Sequence, residues 1–277
     1  VWDVFFNALT TGIFSVAAVG ELARPAAFAP VGVWAYPLAL VLLLVDLTLL
    51  VLDLGDKLKF HHMLRVFKPS SPMSLGTWCL TLYSLPLTAL VALDALVLVG
   101  LLRADEPALG WVRAALLVAG IPFAFGSMAY KGVLFSTSAQ PGWKDARWLG
   151  AYHVASAFAL GAATLLALAA LTDQASAARM LRPAVTILIV AQVVPLSLLL
   201  IELRPTLGRA YRTAHLRAAT VGWIGFGIVI PRLLLRLDGA IPAVVAAVAV
   251  LAAGWIIRQL VITLPHRLAH PRSGTAR

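Results

Sequence analysis

Eight stretches of about 20 residues each, long enough to cross a bilayer as helices, recur along this chain, made almost wholly of Leu, Val, Ala, Ile and aromatic residues. They fall near residues 6–23, 36–54, 76–102, 110–130, 148–172, 183–203, 216–236 and 241–263. Inside lipid an unpaired backbone group costs several kcal/mol, so only helices and closed barrels span. Barrel strands would alternate apolar and polar residues, and these runs do not alternate. The chain is therefore predicted to be an all-α integral membrane protein with about eight transmembrane helices. The opening apolar stretch lacks the basic region and small-residue cleavage site of a signal peptide and reads as a true first span.

Composition narrows the chemistry. Hydrophobic residues make up 61% of the 277 positions and charged residues 12%, far from the balance of a water-soluble domain. The net charge of +10 sits in short segments between apolar runs, where membrane orientation and lipid headgroups explain it better than nucleic acid does. The single cysteine, Cys79, cannot hold an iron–sulfur cluster, which takes about four such ligands. None of His61, His62, His153, His215, His266 and His270 lies mid-run, where paired axial ligands would hold a membrane haem. No metal-ligand set is expected. Any redox role then requires a diffusible carrier beside a partner's cofactor.

An even number of spans puts both termini on one side, face A, together with the connections after the second, fourth and sixth spans. Most of the 22 Lys and Arg fall there, among them Lys57, Lys68, Lys131, Lys144, Arg204, Arg212 and Arg258. The positive-inside rule then predicts that face A and the termini are cytoplasmic, in a cell inner membrane. Face B connections are short Pro, Ala and Gly turns, whereas face A connections are long, polar and aromatic, so function is expected on face A. The second span ends on Leu52-Asp53-Leu54 and the sixth on Ile201-Glu202-Leu203-Arg204, an echo that suggests halves at 1–135 and 136–277.

The most informative segment runs Leu52-Asp53-Leu54-Gly55-Asp56-Lys57-Leu58-Lys59-Phe60-His61-His62-Met63-Leu64-Arg65 and enters the third span through Ser71-Pro72-Met73-Ser74-Leu75-Gly76, whose hydroxyls suit a helix cap. By its chemistry alone it reads first as an interfacial loop with snorkelling Lys and an ordinary helix cap. It resembles, however, the signature of the polysulfide reductase membrane-subunit, or NrfD-like, family: Asp-Leu-Gly-Arg, an aromatic, His-Met-Leu, then Ser-Pro-Met-Ser. A second block, Ala129-Tyr130-Lys131-Gly132-Val133-Leu134 with Trp143-Lys144-Asp145-Ala146-Arg147-Trp148-Leu149-Gly150, resembles the family's Tyr-x-Gly-x-Leu and Pro-Leu-Trp segments, with Pro141-Gly142-Trp143 departing from the latter. A third is Phe6-Asn7-Ala8-Leu9 with Gly12.

The resemblance implies two four-helix bundles that exchange electrons between a membrane quinone, menaquinone or ubiquinone, and an extrinsic ferredoxin-like iron–sulfur subunit. That partner is expected on the face of the termini, with a catalytic subunit, molybdopterin-dependent in related systems, beyond it. It also implies that Asn7 and Tyr130 contact the quinone head and that Gly12 lets the ring approach. A Tyr hydroxyl or Asn amide can donate to a quinone oxygen as charge develops on it.

Quinone reduction consumes two protons, and His62, Asp53 and Lys57 adjoin the expected head-group position. His is suited to proton relay, while Asp53 and Lys57, four residues apart, read equally as an ion pair. Asp46 and Asp94 lie inside apolar runs, where a charge costs about 2.5 to 3.5 kcal/mol or more. Asp46 shares a helix face with Asp53. A proton path from face B is the functional reading of these acids, and a hydrogen-bonded structural Asp the plain one. Glu202, Arg204 and Arg232 have no matched motif, and Gln192 and His153 read as helix-packing residues. The preferred function is a quinone-reactive membrane anchor. Its alternatives are an anchor for a multihaem cytochrome or another quinol-oxidising complex and, from a different class, a proton-coupled secondary transporter using Asp46 and Asp94. Against the transporter stands the lack of paired Gly or Pro breaks at matching positions of the two halves.

Overall fold

The computed structural model describes residues 1–54, 64–103 and 105–269. Every regular element among them is helical: α1 (Trp2–Ala23), α2 (Pro25–Leu52), α3 (Pro72–Leu98), α4 (Pro107–Ser136), α5 (Leu149–Leu171), α6 (Ala175–Ala191), α7 (Val193–Ala210), α8 (Thr213–Ile224), a π-helical turn (Gly225–Val229), α9 (Ile230–Leu234), α10 (Ala240–Ile262) and α11 (Leu264–Ala269). Taking α6 with α7 and α8 with the π turn and α9, eight helices are long and apolar enough to cross a membrane.

Proline marks several helix starts. Pro25, Pro72 and Pro107 stand in the first turns of α2, α3 and α4, where the missing N–H costs nothing and the fixed φ suits the helix. Ser71 Oγ accepts from the Ser74 backbone N–H at 3.4 Å, the cap expected from Ser-Pro-Met-Ser. The second span differs from the sequence reading. Only Arg24 separates α1 from α2, which starts eleven residues before the expected boundary and carries Pro30 and Pro37 inside it. In a membrane helix, neighbouring segments re-satisfy the backbone groups that Pro frees, so it does not end the span. The sixth span is broken at Gln192, and the seventh widens into its π turn at Gly225. Both breaks lie in the second half, so they are not counterparts across the two halves.

Packing is organised around α1 and α5. A Cβ on Gly12 would lie 2.0 Å from the Ala157 carbonyl oxygen, and one on Gly161 2.1 Å from the Gly12 carbonyl carbon. The two backbones thus touch without side chains between them, the small-residue contact on which membrane helices rely where hydrophobic burial gives no drive. One apolar core, including Phe14, Val31, Tyr36, Leu87, Leu117, Leu160, Leu166 and Val185, runs through α1–α6 and α10 without dividing at residue 135. A smaller one joins α5, α7, α8 and α10 around Leu199, Leu203, Trp223 and Ile257.

Candidate functional site

The start of α1 and the ends of α2 and α4 meet at face A, and their polar side chains converge one to two turns below the helix ends. Lys131, 3% exposed, directs its ammonium at the carboxylates of Asp3 and Asp46, the latter at 3.0 Å, and at the Asp3 carbonyl oxygen at 3.1 Å. Its three N–H groups are thereby all used. Asp46 is fully buried and engages both oxygens, Oδ1 with Lys131 and Oδ2 with the Asn7 amide at 3.1 Å. The second Asn7 N–H goes to Ser127 Oγ at 3.0 Å. A continuous hydrogen-bonded row therefore leads inward from Asp3, the part-exposed member, through Lys131 and Asp46 to Asn7 and Ser127. Two carboxylates to one ammonium leave it formally anionic when both are ionised.

Tyr130 borders this row. Its ring lies directly on Gly76 of α3, where a Cβ would come within 1.9 Å of the ring. The Lys131 ammonium is 5.7 Å from the ring centre. Among the described residues, none makes a hydrogen bond with the Tyr130 hydroxyl. The neighbouring Lys131 ammonium can only donate to that oxygen, so among the described residues the hydroxyl hydrogen has no acceptor.

A second polar group occupies the opposite end of the same helices. Arg113 of α4, 18% exposed, pairs with Glu21 of α1 and with Asp94 of α3, and Glu21 also accepts from the Tyr36 hydroxyl at 2.7 Å. Between the two ends, Thr10 and Tyr83 join hydroxyls at 2.9 Å, and Thr10 donates to the Ala39 carbonyl at 2.6 Å. Phe14 interrupts the column, its ring 5.2 Å from that of Tyr83 and 6.0 Å from that of Tyr36.

A third buried group lies between α1, α5 and α10. Arg258, 1% exposed, spends Nη1 on Ser156 Oγ and the Gly254 carbonyl, both at 3.1 Å. Its Nε and Nη2, the Tyr152 hydroxyl and His153 Nε2 are buried and have no hydrogen-bond partner among the described residues. The guanidinium lies over the rings of Phe5 and Tyr152 at 5.9 and 6.0 Å.

Several expectations are corrected by this geometry. The room over Gly12 is filled by the α5 backbone, so its missing Cβ serves helix contact and opens no space for a ring. Asn7 has both N–H groups spent, which leaves its carbonyl oxygen as the free function. Asp94 is not isolated within lipid: it sits one turn from the face B end of α3, held by Arg113. Asp53 caps α2 and is exposed, so it does not share the buried setting of Asp46 despite the common helix face. Lys131 and Arg258, read as part of the basic face A surface, are buried. Glu202 pairs with Arg147 and accepts its backbone N–H at 2.9 Å. Lys57 and His62 lie outside the described residues. The sequence reading missed Asp3, Ser127 and Glu21 as partners. The available signal was charge matching: acids inside apolar runs call for cations at the same depth, and Lys131 and Arg113 lie at the same ends of their spans as Asp46 and Asp94.

No group of three or more His, Cys, Asp or Glu suited to a metal ion occurs among the described residues. Residues 2–267 match the family model described as polysulfide reductase. No curated protein matches the chain.

Proposed function

The chain belongs to the polysulfide reductase family, whose members are membrane subunits of oxidoreductase complexes, and from that premise we propose that it is the quinone-reactive anchor of a respiratory enzyme. It exchanges electrons between the quinone pool of a cell inner membrane and a ferredoxin-like iron–sulfur subunit docked on face A, with a molybdopterin-dependent catalytic subunit beyond. The observation that carries this reading is the Tyr130 hydroxyl, whose hydrogen meets no acceptor among the described residues, beside the buried row from Asp3 to Ser127.

The residues fit a quinone head group. Bound quinone supplies a two-electron, two-proton couple, and the protein's part is to hold oxygen atoms and manage protons. The Tyr130 hydroxyl donates to a quinone oxygen, with its ring fixed on Gly76. The Asn7 carbonyl oxygen, aimed by the Asp46 and Ser127 contacts, accepts from a quinol hydroxyl. Asn7 only positions the ring; the titratable groups Asp46 and Lys131 relay protons between the ring and Asp3, the part-exposed member of the row at face A. His62, in the sequence that follows α2 together with Asp53 and Lys57, is the group proposed to pass protons on. Phe14 separates this row from the Asp94, Arg113 and Glu21 group, which supports proton exchange with face A over conduction from face B. Pairing of Asp46 and Asp94 with separate cations, at opposite ends of the spans, likewise supports an anchor over a transporter with one shared coupling site.

The test is electron exchange in the copurified complex. With wild type, quinol changes the redox state of the iron–sulfur clusters. With Tyr130→Phe at equal subunit levels, that exchange falls at least tenfold while cluster content and dye-linked activity of the catalytic arm persist. Unchanged exchange in the variant removes Tyr130 from the site, and a chain that purifies without iron or quinone and moves ions alone in liposomes defeats the reading.

A further inference from the structure

We propose that Arg258, contributed by the second half of the chain, makes the quinone site favour a ring that carries negative charge. The inference rests on the quinone reading and deepens it by assigning the charge class of the preferred ligand.

Arg258 is a buried cation with no carboxylate partner among the described residues. Every other buried or half-buried cation described at the polar ends of the bundle has at least one: Lys131 has Asp3 and Asp46, and Arg113 has Glu21 and Asp94. A guanidinium stays protonated in a protein, so its charge persists at full burial. Its anchoring uses neutral groups, Ser156, the Gly254 carbonyl and the faces of Phe5 and Tyr152, and these hold the charge without cancelling it.

The position of that charge matters. Phe5, beneath the guanidinium, and Asn7, in the quinone site, are two residues apart on α1 and therefore project to nearly opposite sides of it. Arg258 stands about one helix diameter, roughly 10 to 12 Å, across α1 from the row of Asp3, Asp46 and Lys131. The row's two carboxylates and one ammonium would disfavour a second negative charge beside Tyr130. Arg258 opposes that field through packed protein, where salt does little screening. A unit charge at such a distance, at the effective dielectric of a protein, changes the affinity for an anion roughly tenfold. The residue touches no ligand and acts by its field alone.

Two quinone analogues of nearly equal shape separate this role from a structural one: a hydroxynaphthoquinone, anionic at neutral pH, and its neutral methyl ether. Binding of each to the full chain in lipid nanodiscs is read from quenching of tryptophan fluorescence. In Arg258→Gln the anionic analogue is expected to bind roughly tenfold more weakly, with the ether unchanged, and in Arg258→Lys both are expected to bind as in wild type. Equal weakening of both analogues in Arg258→Gln, or no change in either, overturns the inference and leaves the quinone reading standing. Failure of wild type to bind either analogue overturns both.

Discussion

At the residue scale the account turns on side chains whose partners are fixed. Gly76 is as decisive as Tyr130, because any Cβ at position 76 collides with the Tyr130 ring. Gly76→Ala is expected to displace the ring and lower quinol-dependent cluster reduction by about the same factor as Tyr130→Phe, with subunit assembly retained. Removing Lys131 would leave two carboxylates below the membrane surface without their cation. Breaking a buried pair from one side costs about 3 to 5 kcal/mol, so Lys131→Met is expected to be strongly destabilising in denaturation of the nanodisc-held chain. Adding Asp46→Asn should recover part of that loss, and an additive double mutant would show that the pair does not interact. Asp46 was legible because an acid inside an apolar run demands explanation. Its partner was not, because the expected end of the fourth span at residue 130 put Lys131 in solvent. The helix in fact runs to Ser136, and these six further residues, more than one and a half turns, turn a loop lysine into a buried one.

At the element scale, the seam between α1 and α5 depends on two residues with no side chain. Gly12→Val is expected to force the backbones apart and cost about 1 to 3 kcal/mol, the range for overpacking, lowering the thermal midpoint of the purified chain. Normal stability would mean that the helices meet elsewhere. The number and type of the spans could be read from the apolar runs alone, since each had to be a helix in lipid. Boundaries were harder. Pro30 lay in the expected connection but is helical, and the break at Gln192 and the π turn at Gly225 have no local pattern that marks them. For the same reason the matched motif pointed to Gly12 while the seam it makes with Gly161 lay hidden in the second half.

At the scale of the whole molecule, the distribution of charge bears on the expected orientation. Burial of Lys131 and Arg258 removes them from the surface, yet Arg65, Lys68, Lys144, Arg147, Arg204, Arg209, Arg212 and Arg217 remain exposed on face A. A tag at the C-terminus is accordingly expected to resist external protease in spheroplasts and to be cut after lysis; cleavage in intact spheroplasts would reverse the orientation and place the catalytic arm outside. The central claim, that the quinone head lies at the face A end of the first half, is tested most directly by photolabelling the complex with an azidoquinone and mapping the adducts by peptide sequencing. The account predicts labels on the first turns of α1, the last turns of α2 and α4 and the start of α3, competed away by native quinone and reduced in Tyr130→Phe. Competed labels confined to α6–α9 would contradict it.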